Sequence, residues 1–352
     1  MQKKICVLGG DGIGPEVTDQ AIKVLKAIAT KYEFEFSFEH ALIGAAAIDA
    51  TGDPLPAETV EKCWASDGIL LGAVGAPKYD NDPSAKVRPE QGLLRLRKTF
   101  GLYANIRPIA TYKVLYPYSP LREERIQGVD FVVYRELTGG AYFGAKGRTP
   151  ENNGAYDRIE YNAEEVDRIA ILAFQAAQQR SKKLCLVDKA NVLETSRLWR
   201  ERVQKIAADY PEVTLSTMFV DNAAMQIILN PAQFDVMLTE NMFGDILTDE
   251  ASVITGSIGL LPSASIGDSI GMFEPIHGSY PQAAGKNIAN PFGTILSAAM
   301  MLDHFELPHA AETVRQAVLK ALDEGKVSID INKDNYLGTQ ELGDLIAQYV
   351  LA

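Results

Sequence analysis

Basic excess, paired cysteines and long apolar runs are all missing from this chain of 352 residues. Its 34 lysines and arginines face 46 aspartates and glutamates, a formal net charge of −12. That balance repels phosphate backbones and anionic lipid, and no concentrated basic patch offsets it, so neither nucleic acid nor a membrane surface is an expected partner. The three cysteines, Cys6, Cys63 and Cys185, are odd in number, far apart in sequence and not spaced as Cys-x-x-Cys. Neither a disulfide framework nor a zinc site is indicated, and a reducing cytoplasm is the plain expectation. The first ten residues hold no secretory h-region and no Arg- and Ser-rich transit pattern. The most apolar late stretch, 288–302, is interrupted by Asn290, Pro291, Gly293 and Ser297 and is too short to span a bilayer. A G-x-x-x-x-G-K-[ST] loop and a kinase signature are also missing, which sets aside a Mg²⁺-dependent phosphotransferase.

The residues that are present describe an ordered α/β chain. With 47% hydrophobic and 23% charged residues, the length exceeds what one core usually organises, so two domains are expected. Residues 3–8 and 69–74 read as apolar strands, Phe34, Phe36 and Phe38 alternate as in a half-buried strand, and further runs end at Arg135, Asp188, Asp221 and Glu240. Helical periods lie between most of them, the clearest being Val166, Ile169, Ala170, Ala173, Phe174 and Ala177 behind an Asn162/Glu165 capping box. Alternating strands and helices predict a mainly parallel sheet. Two regions break the rhythm. Residues 137–162 are rich in Gly, Asn and charge, either a functional arm or a flexible loop, and residues 256–293 show no clear period.

Gly10-Asp11-Gly12-Ile13-Gly14-Pro15-Glu16 invites comparison with a dinucleotide fingerprint, but Pro15 stands where the third glycine belongs, and Asp11 and Glu16 would repel a pyrophosphate. A tight strand-to-helix turn, with Pro15 in the first helical turn, is the better reading. Asp245 and Asp249 lie four apart, so a helix would point both carboxylates to one face. That arrangement is either a solvated acidic face or half of a site for Mg²⁺ or Mn²⁺. Arg97, Arg107 and Arg135 offer guanidinium forks for a di- or tricarboxylic acid, whereas Arg95 reads as a surface salt-bridge partner. His277 in its glycine-rich loop is either a hydrogen-bonding loop residue or part of a nucleotide site.

Taken together, Gly10–Glu16, Arg88-Pro89-Glu90-Gln91-Gly92-Leu93-Leu94, Arg135-Glu136-Leu137-Thr138-Gly139-Gly140, Val187-Asp188-Lys189-Ala190-Asn191, residues 241–249 and His277-Gly278-Ser279 resemble the β-decarboxylating dehydrogenases of the isocitrate and isopropylmalate family. The strings cover nearly the whole chain in order. The Glu90-x-x-Leu93-Leu94-x-x-Arg97 helix resembles the isopropylmalate branch more than the isocitrate, homoisocitrate or tartrate branches, because the leucines suit an isopropyl group.

This resemblance implies a two-domain fold distinct from the Rossmann fold. A cofactor-binding domain would span 1–102 plus 256–352, and a dimer-forming domain 103–255 would carry an arm at about 137–162. It implies a homodimer with active sites shared across the interface. Arg97, Arg107 and Arg135 would bind the malate carboxylates, Leu93, Leu94 and a partner-derived Val192 the isopropyl group, and Asp245, Asp249 and a partner-derived Asp221 the metal. Glu90, Gly259, His277, Gly278, Ser279, Tyr280, Gln282 and Asn290 fall in the NAD-contacting region. Lys189 would accept the C2 hydroxyl proton and Tyr142 would protonate the enol carbon. The implied reaction is the NAD- and Mg²⁺- or Mn²⁺-dependent oxidative decarboxylation of (2R,3S)-3-isopropylmalate to 4-methyl-2-oxopentanoate, in leucine biosynthesis. Gln282 departs from the aspartate usual in NAD-preferring relatives, which weakens discrimination against NADP, and Tyr280 replaces a small residue and is expected to pack on the adenine. The rivals are a sister dehydrogenase and a non-catalytic regulatory relative; the presence of Tyr142, Lys189 and the aspartates argues against the second.

Overall fold

The computed structural model describes residues 1–82 and 84–352. In chain order its strands are β1 (Gln2–Gly10), β2 (Glu35–His40), β3 (Gly68–Ala73), β4 (Ala104–Ala110), β5 (Asp130–Glu136), β6 (Lys146–Arg148) and β7 (Ala155–Asp157). They continue with β8 (Lys183–Asp188), β9 (Thr214–Phe219), β10 (Val236–Thr239), β11 (Pro262–Ile266) and β12 (Gly271–Pro275). The chain divides into two compact units, Met1–Leu102 with Gly256–Ala352, and Tyr103–Thr255. Helices alternate with strands in both, and the sheet is mainly parallel.

In unit one the strand order is β2-β1-β3-β12-β11, parallel except for the antiparallel β11–β12 hairpin. All of β3 is buried, which is why its sequence is one continuous apolar run. The helix Gly14–Tyr32 places Val17, Ala21, Val24, Leu25 and Ile28 in the core, with Pro15 in its first turn and Glu16 favoured by the helix dipole. Leu25 is completely buried, so its truncation to alanine costs about 2–5 kcal/mol. The turn before this helix needs its glycines. Gly12 adopts φ +59°, and a Cβ there would sit 1.9 Å from the Ser279 carbonyl oxygen.

In unit two the order is β4-β5-β10-β8-β9, parallel except for β4 against β5. The helix Ala163–Gln179 starts at a complete capping box, in which the Glu165 N–H donates to Asn162 Oδ1 at 3.0 Å and the Asn162 N–H to Glu165 Oε2 at 2.9 Å. Its apolar stripe packs with Leu184, Leu186, Trp199 and Val203 as the core of this unit. The segment 137–162 is ordered as a 3-10 turn, Gly140–Tyr142, followed by the exposed antiparallel hairpin β6–β7.

Two features differ from the sequence reading, and the fold adds a contact that it did not contain. Asp221 does not end a strand: β9 stops at Phe219, and Asp221 lies in the first turn of the helix Val220–Leu229. The region 256–293 contains two strands, β11 and β12, and the buried helix Phe292–His304 follows it. Cys6 and Cys63, distant in sequence, meet as free buried thiols with Sγ atoms 3.5 Å apart. Their mutual hydrogen bond and burial push the Cys63 thiol far above its ordinary range, so it stays protonated and unreactive. Among the described residues no helix is long and apolar enough to cross a membrane.

Candidate active site

Unit two gathers two arginines, two aspartates and a tyrosine. β4 delivers Arg107, the end of β5 delivers Arg135, and both side chains are buried. The helix Asn241–Ser252, capped by Glu240 accepting the Phe243 N–H at 2.8 Å, carries Asp245 and Asp249 one turn apart. Arg135 Nη1 donates to Asp245 Oδ1 at 2.5 Å, and its Nε and Nη2 are held by the main-chain oxygen and Oδ1 of Asn241, each at 2.8 Å. Arg107 is steered by Asn105 Oδ1 and Thr248 Oγ1, and lies 3.6 Å from Asp245 Oδ1 and 3.7 Å from Asp249 Oδ1. Gly244 makes room for this packing, since a Cβ there would stand 2.6 Å from Arg135 Cγ.

Tyr142, in the 3-10 turn, donates its hydroxyl to Asp245 Oδ2 at 2.7 Å. Burial, reinforced by the hydrogen bond and charge of Asp245, pushes this phenol up to about 12. It therefore holds its proton at neutral pH. Partial burial raises the Asp249 carboxyl, with Arg107 opposing and the like charge of Asp245 adding to the rise. A dication would relieve that repulsion, and hard carboxylate oxygens fit Mg²⁺ or Mn²⁺. Among the described residues no group of three or more His, Cys, Asp or Glu gathers within one chain. Asp221 instead pairs with Lys189, Nζ to Oδ1 at 2.9 Å, and that hydrogen bond holds the Asp221 carboxyl below its ordinary value. The neighbouring Asp188 is engaged by Arg200 through two 2.8 Å bonds and by the Ala190 N–H, so it shapes the turn that presents Lys189. Val192 is 62% exposed.

Unit one holds a cavity of about 550 Å³, lined among others by Ile13, Gly259, His277, Tyr280, Asn290 and Asp330. That is the size range of small-molecule and cofactor pockets. His277 is buried, its Nδ1 meets the Gly278 carbonyl at 2.9 Å, and its Nε2 has no partner among the described residues. Burial holds the imidazole below 6.5, so it stays neutral at neutral pH, with Nδ1–H donated to that carbonyl and Nε2 left as the acceptor. Gly278, Ile288 and Ala289 complete an apolar wall. Glu90 lies beside Gly75 and Ser279, where a Cβ on Gly75 would be 3.1 Å from Glu90 Oε1. Tyr280 lines the cavity, 56% exposed, whereas Gln282 is an exposed residue of the 3-10 turn Pro281–Ala283.

On the helix Pro89–Thr99, Leu93 and Leu94 are half-exposed one turn ahead of the buried Arg97, whose Nη2 pairs with Glu274 at 3.0 Å. Arg95 is a surface ion-pair partner of Asp53. Residues the sequence reading left out are Thr248 and Tyr161 around the arginines, and Ser257, Asp330 and Lys333 at the cavity, while Asn105, Glu240 and Asn241 were given no partner there. Glu240 and Asn241 carried a local signal, as polar residues at the end of an apolar run.

The family described as isocitrate/isopropylmalate dehydrogenase matches residues 4–346. The chain belongs to this family. It is 53% identical over 352 residues to the 3-isopropylmalate dehydrogenase of Bacteroides fragilis (strain YCH46), covering 99% of both chains. It is 54% identical over 350 residues to the enzyme of the same name from Clostridium acetobutylicum, covering 97% of this chain and 98% of that one. Among solved structures, isocitrate dehydrogenase from Methylococcus capsulatus superposes with a TM-score of 0.90 at 33% identity, covering 99% and 100%. A β-decarboxylating dehydrogenase from Thermococcus kodakarensis superposes with a TM-score of 0.81 at 35% identity, covering 99% and 96%. This member of the isocitrate/isopropylmalate family is thus an oxidoreductase of the β-decarboxylating type.

Proposed function

We propose that the chain oxidises (2R,3S)-3-isopropylmalate with NAD and decarboxylates it to 4-methyl-2-oxopentanoate, as a cytoplasmic step of leucine biosynthesis. The observation that carries this is identity above one half, over whole lengths, to 3-isopropylmalate dehydrogenases. The half-exposed Leu93 and Leu94 add an apolar surface on the helix of Arg97, where an isocitrate-type substrate would need a polar partner for a third carboxylate.

Arg97, Arg107 and Arg135 hold the malate carboxylates, with fork geometry suited to bidentate contacts. Asp245 and Asp249, with Asp221 of the partner subunit, hold the divalent cation. When bound, the cation would supply Lewis-acid polarisation and the nicotinamide a hydride acceptor. Lys189, in its neutral form, takes the C2 hydroxyl proton. After loss of carbon dioxide, Tyr142 hands its proton to the enol carbon, consistent with a phenol that stays protonated. NAD would be held in the His277–Asn290 cavity, which Gly259 and Tyr280 line, with Glu90, Ser279 and Gln282 as further contacts.

A homodimer completes the site by bringing Val192 and Asp221 of the partner subunit to it. Its support is the apolar surface left open on unit two, where Met225, Leu229, Ile246 and Val253 are all exposed. The arm at 137–162, with its exposed β6–β7 hairpin, extends that interface.

The test is NADH formation with 3-isopropylmalate and Mg²⁺, run beside isocitrate, homoisocitrate and tartrate and repeated with NADP and with chelator. Fast chelator-sensitive turnover of 3-isopropylmalate alone is expected. Preference for another acid, or silence on all four in a folded dimer, refutes the assignment.

A further inference from the structure

We propose that Asn241 is a positioning residue for this reaction, its one buried carboxamide fixing both the Arg135 guanidinium and the loop that carries Tyr142. The inference rests on the roles given above to those two residues. Asn241 is completely buried as the first residue of the helix that bears Asp245 and Asp249. Its Oδ1 accepts from Arg135 Nη2 at 2.8 Å and from Nε at 3.2 Å, while its Nδ2 donates to the Gly139 carbonyl at 3.1 Å. The orientation of the amide is fixed by chemistry, because a guanidinium only donates and a carbonyl only accepts. The Asn241 N–H donates to Tyr161 Oη at 3.0 Å, and that hydroxyl donates to Glu240 Oε2 at 2.9 Å.

Gly139 immediately precedes the turn Gly140–Tyr142. Gly140 adopts φ +72°, and a Cβ there would stand 2.3 Å from Tyr161 Oη, so the turn is clamped between Tyr161 and Asn241. From this clamp the Tyr142 hydroxyl reaches Asp245 Oδ2 at 2.7 Å, while Arg135 reaches Oδ1 of the same carboxylate at 2.5 Å. One residue thus indexes the proton donor and the substrate-binding cation to a common point. Aspartate lacks the donor, serine is too short to make both bonds, and glutamine is one methylene too long.

The differing partners of the two amide atoms allow a kinetic separation. Asn241→Asp keeps the acceptor for Arg135 but sets a carboxylate oxygen against the Gly139 carbonyl. Its KM for 3-isopropylmalate is expected to stay within about threefold, while kcat falls by about 10- to 100-fold, the usual scale for a misplaced reacting group. Exchange of the C3 protons of 4-methyl-2-oxopentanoate with D₂O, followed by NMR on the Mg²⁺-loaded dimer, reports proton transfer at the enol carbon alone and is expected to fall by the same factor. Asn241→Ala, which removes both contacts, is expected to raise KM as well. Parental kcat and exchange in Asn241→Asp, or a loss of kcat with unchanged exchange, overturns the proposal. So does loss of the folded state in Asn241→Asp, since the residue would then serve the fold. No turnover by the parent chain overturns the functional reading and this inference together, whereas an active parent with indifferent variants overturns this inference alone.

Discussion

Gly244→Ala sets two opposed effects against each other at the centre of the site. In a helix interior, glycine to alanine ordinarily stabilises by about 0.5–1 kcal/mol, by removing backbone freedom from the unfolded chain. Here the new methyl would lie 2.6 Å from Arg135 Cγ, 2.9 Å from Arg135 Cβ and 3.0 Å from Thr239 Cγ2. Carbon–carbon contacts are favourable near about 3.5–4.0 Å, so all three are repulsive. Arg135 cannot swing aside, because its Cβ is fixed by β5 and its guanidinium by Asn241 and Asp245. Overpacking of this kind costs about 1–3 kcal/mol. The steric term wins, for a net loss of about 0.5–2 kcal/mol and a fall in Tm of about 2–4 °C per kcal/mol for a unit of this size. Any relief comes from displacing Arg135, and losing one charge-assisted bond of about 1.5–3 kcal/mol raises the KM for 3-isopropylmalate by about 10- to 150-fold. Calorimetric melting and steady-state kinetics read both effects. A variant with raised Tm and unchanged KM would show that the packing around Arg135 has slack, and would refute the reasoning.

Tyr142→Phe is expected to lower kcat by about 10²–10⁴-fold, the range for loss of a general acid, and KM should hardly move because the arginines are untouched. A kcat within twofold of the parent would remove Tyr142 from proton delivery. Lys189→Ala should abolish oxidation while leaving binding of cation and substrate largely intact by calorimetry; undiminished turnover would sink the proton-acceptor role. His277 supplies a pH dependence. Its burial keeps the folded imidazole below 6.5, whereas the unfolded chain takes up a proton near that value. Its contribution to stability is full above about pH 6.5 and declines as pH falls below it, by at most about 1.4 kcal/mol per pH unit. Melting at pH 7.5 and 5.5 should show a smaller Tm loss in His277→Gln than in the parent. Equal losses would mean that the buried ring does not set this dependence.

Features that depend on neighbours in sequence were legible, and those that depend on neighbours in space were not. The helix Ala163–Gln179 announces itself through an adjacent capping box and a sustained period. β3 and β5 do so through continuous apolar runs that reflect burial on both faces. β11 is just as buried, yet Pro262, Ser263, Ala264 and Ser265 are small because the helix Phe292–His304 packs against it, so the apolar signature is absent. Asp221 was misplaced by two residues because Phe219 and Val220 prolong the apolar run across a strand-to-helix switch. In the site, the spacing of Asp245 and Asp249 is a local pattern, and it was readable. Thr248 and Asn241 act on Arg107 and Arg135 from the helix Asn241–Ser252, more than a hundred residues away, and ordinary polar residues in ordinary surroundings give no sign of that. The meeting of Cys6 and Cys63 is unreadable for the same reason.

The charges around Asp245 lead to a last prediction. Arg107 and Arg135 supply two positive charges and Asp245 and Asp249 two negative, with Arg107 paired to both carboxylates and Arg135 to Asp245. The group is balanced as it stands. A substrate dianion entering alone leaves two excess negative charges beside two carboxylates, and a divalent cation entering alone leaves two positive charges beside two guanidinium groups. Entering together they restore balance, so each raises the affinity of the other by a coupling of about 1–3 kcal/mol, or about 5- to 150-fold. Linkage requires the two factors to be equal, so titrating 3-isopropylmalate with and without Mg²⁺, and Mg²⁺ with and without 3-isopropylmalate, must give one number. Asp249→Asn then separates the electrostatic account from mere damage to the site. Removing that negative charge should strengthen binding of the dianion without metal while weakening it with metal, because the cation has lost a ligand. If the variant weakens substrate binding equally under both conditions, charge balance does not govern the site, and Asp249 acts on the substrate only through local structure.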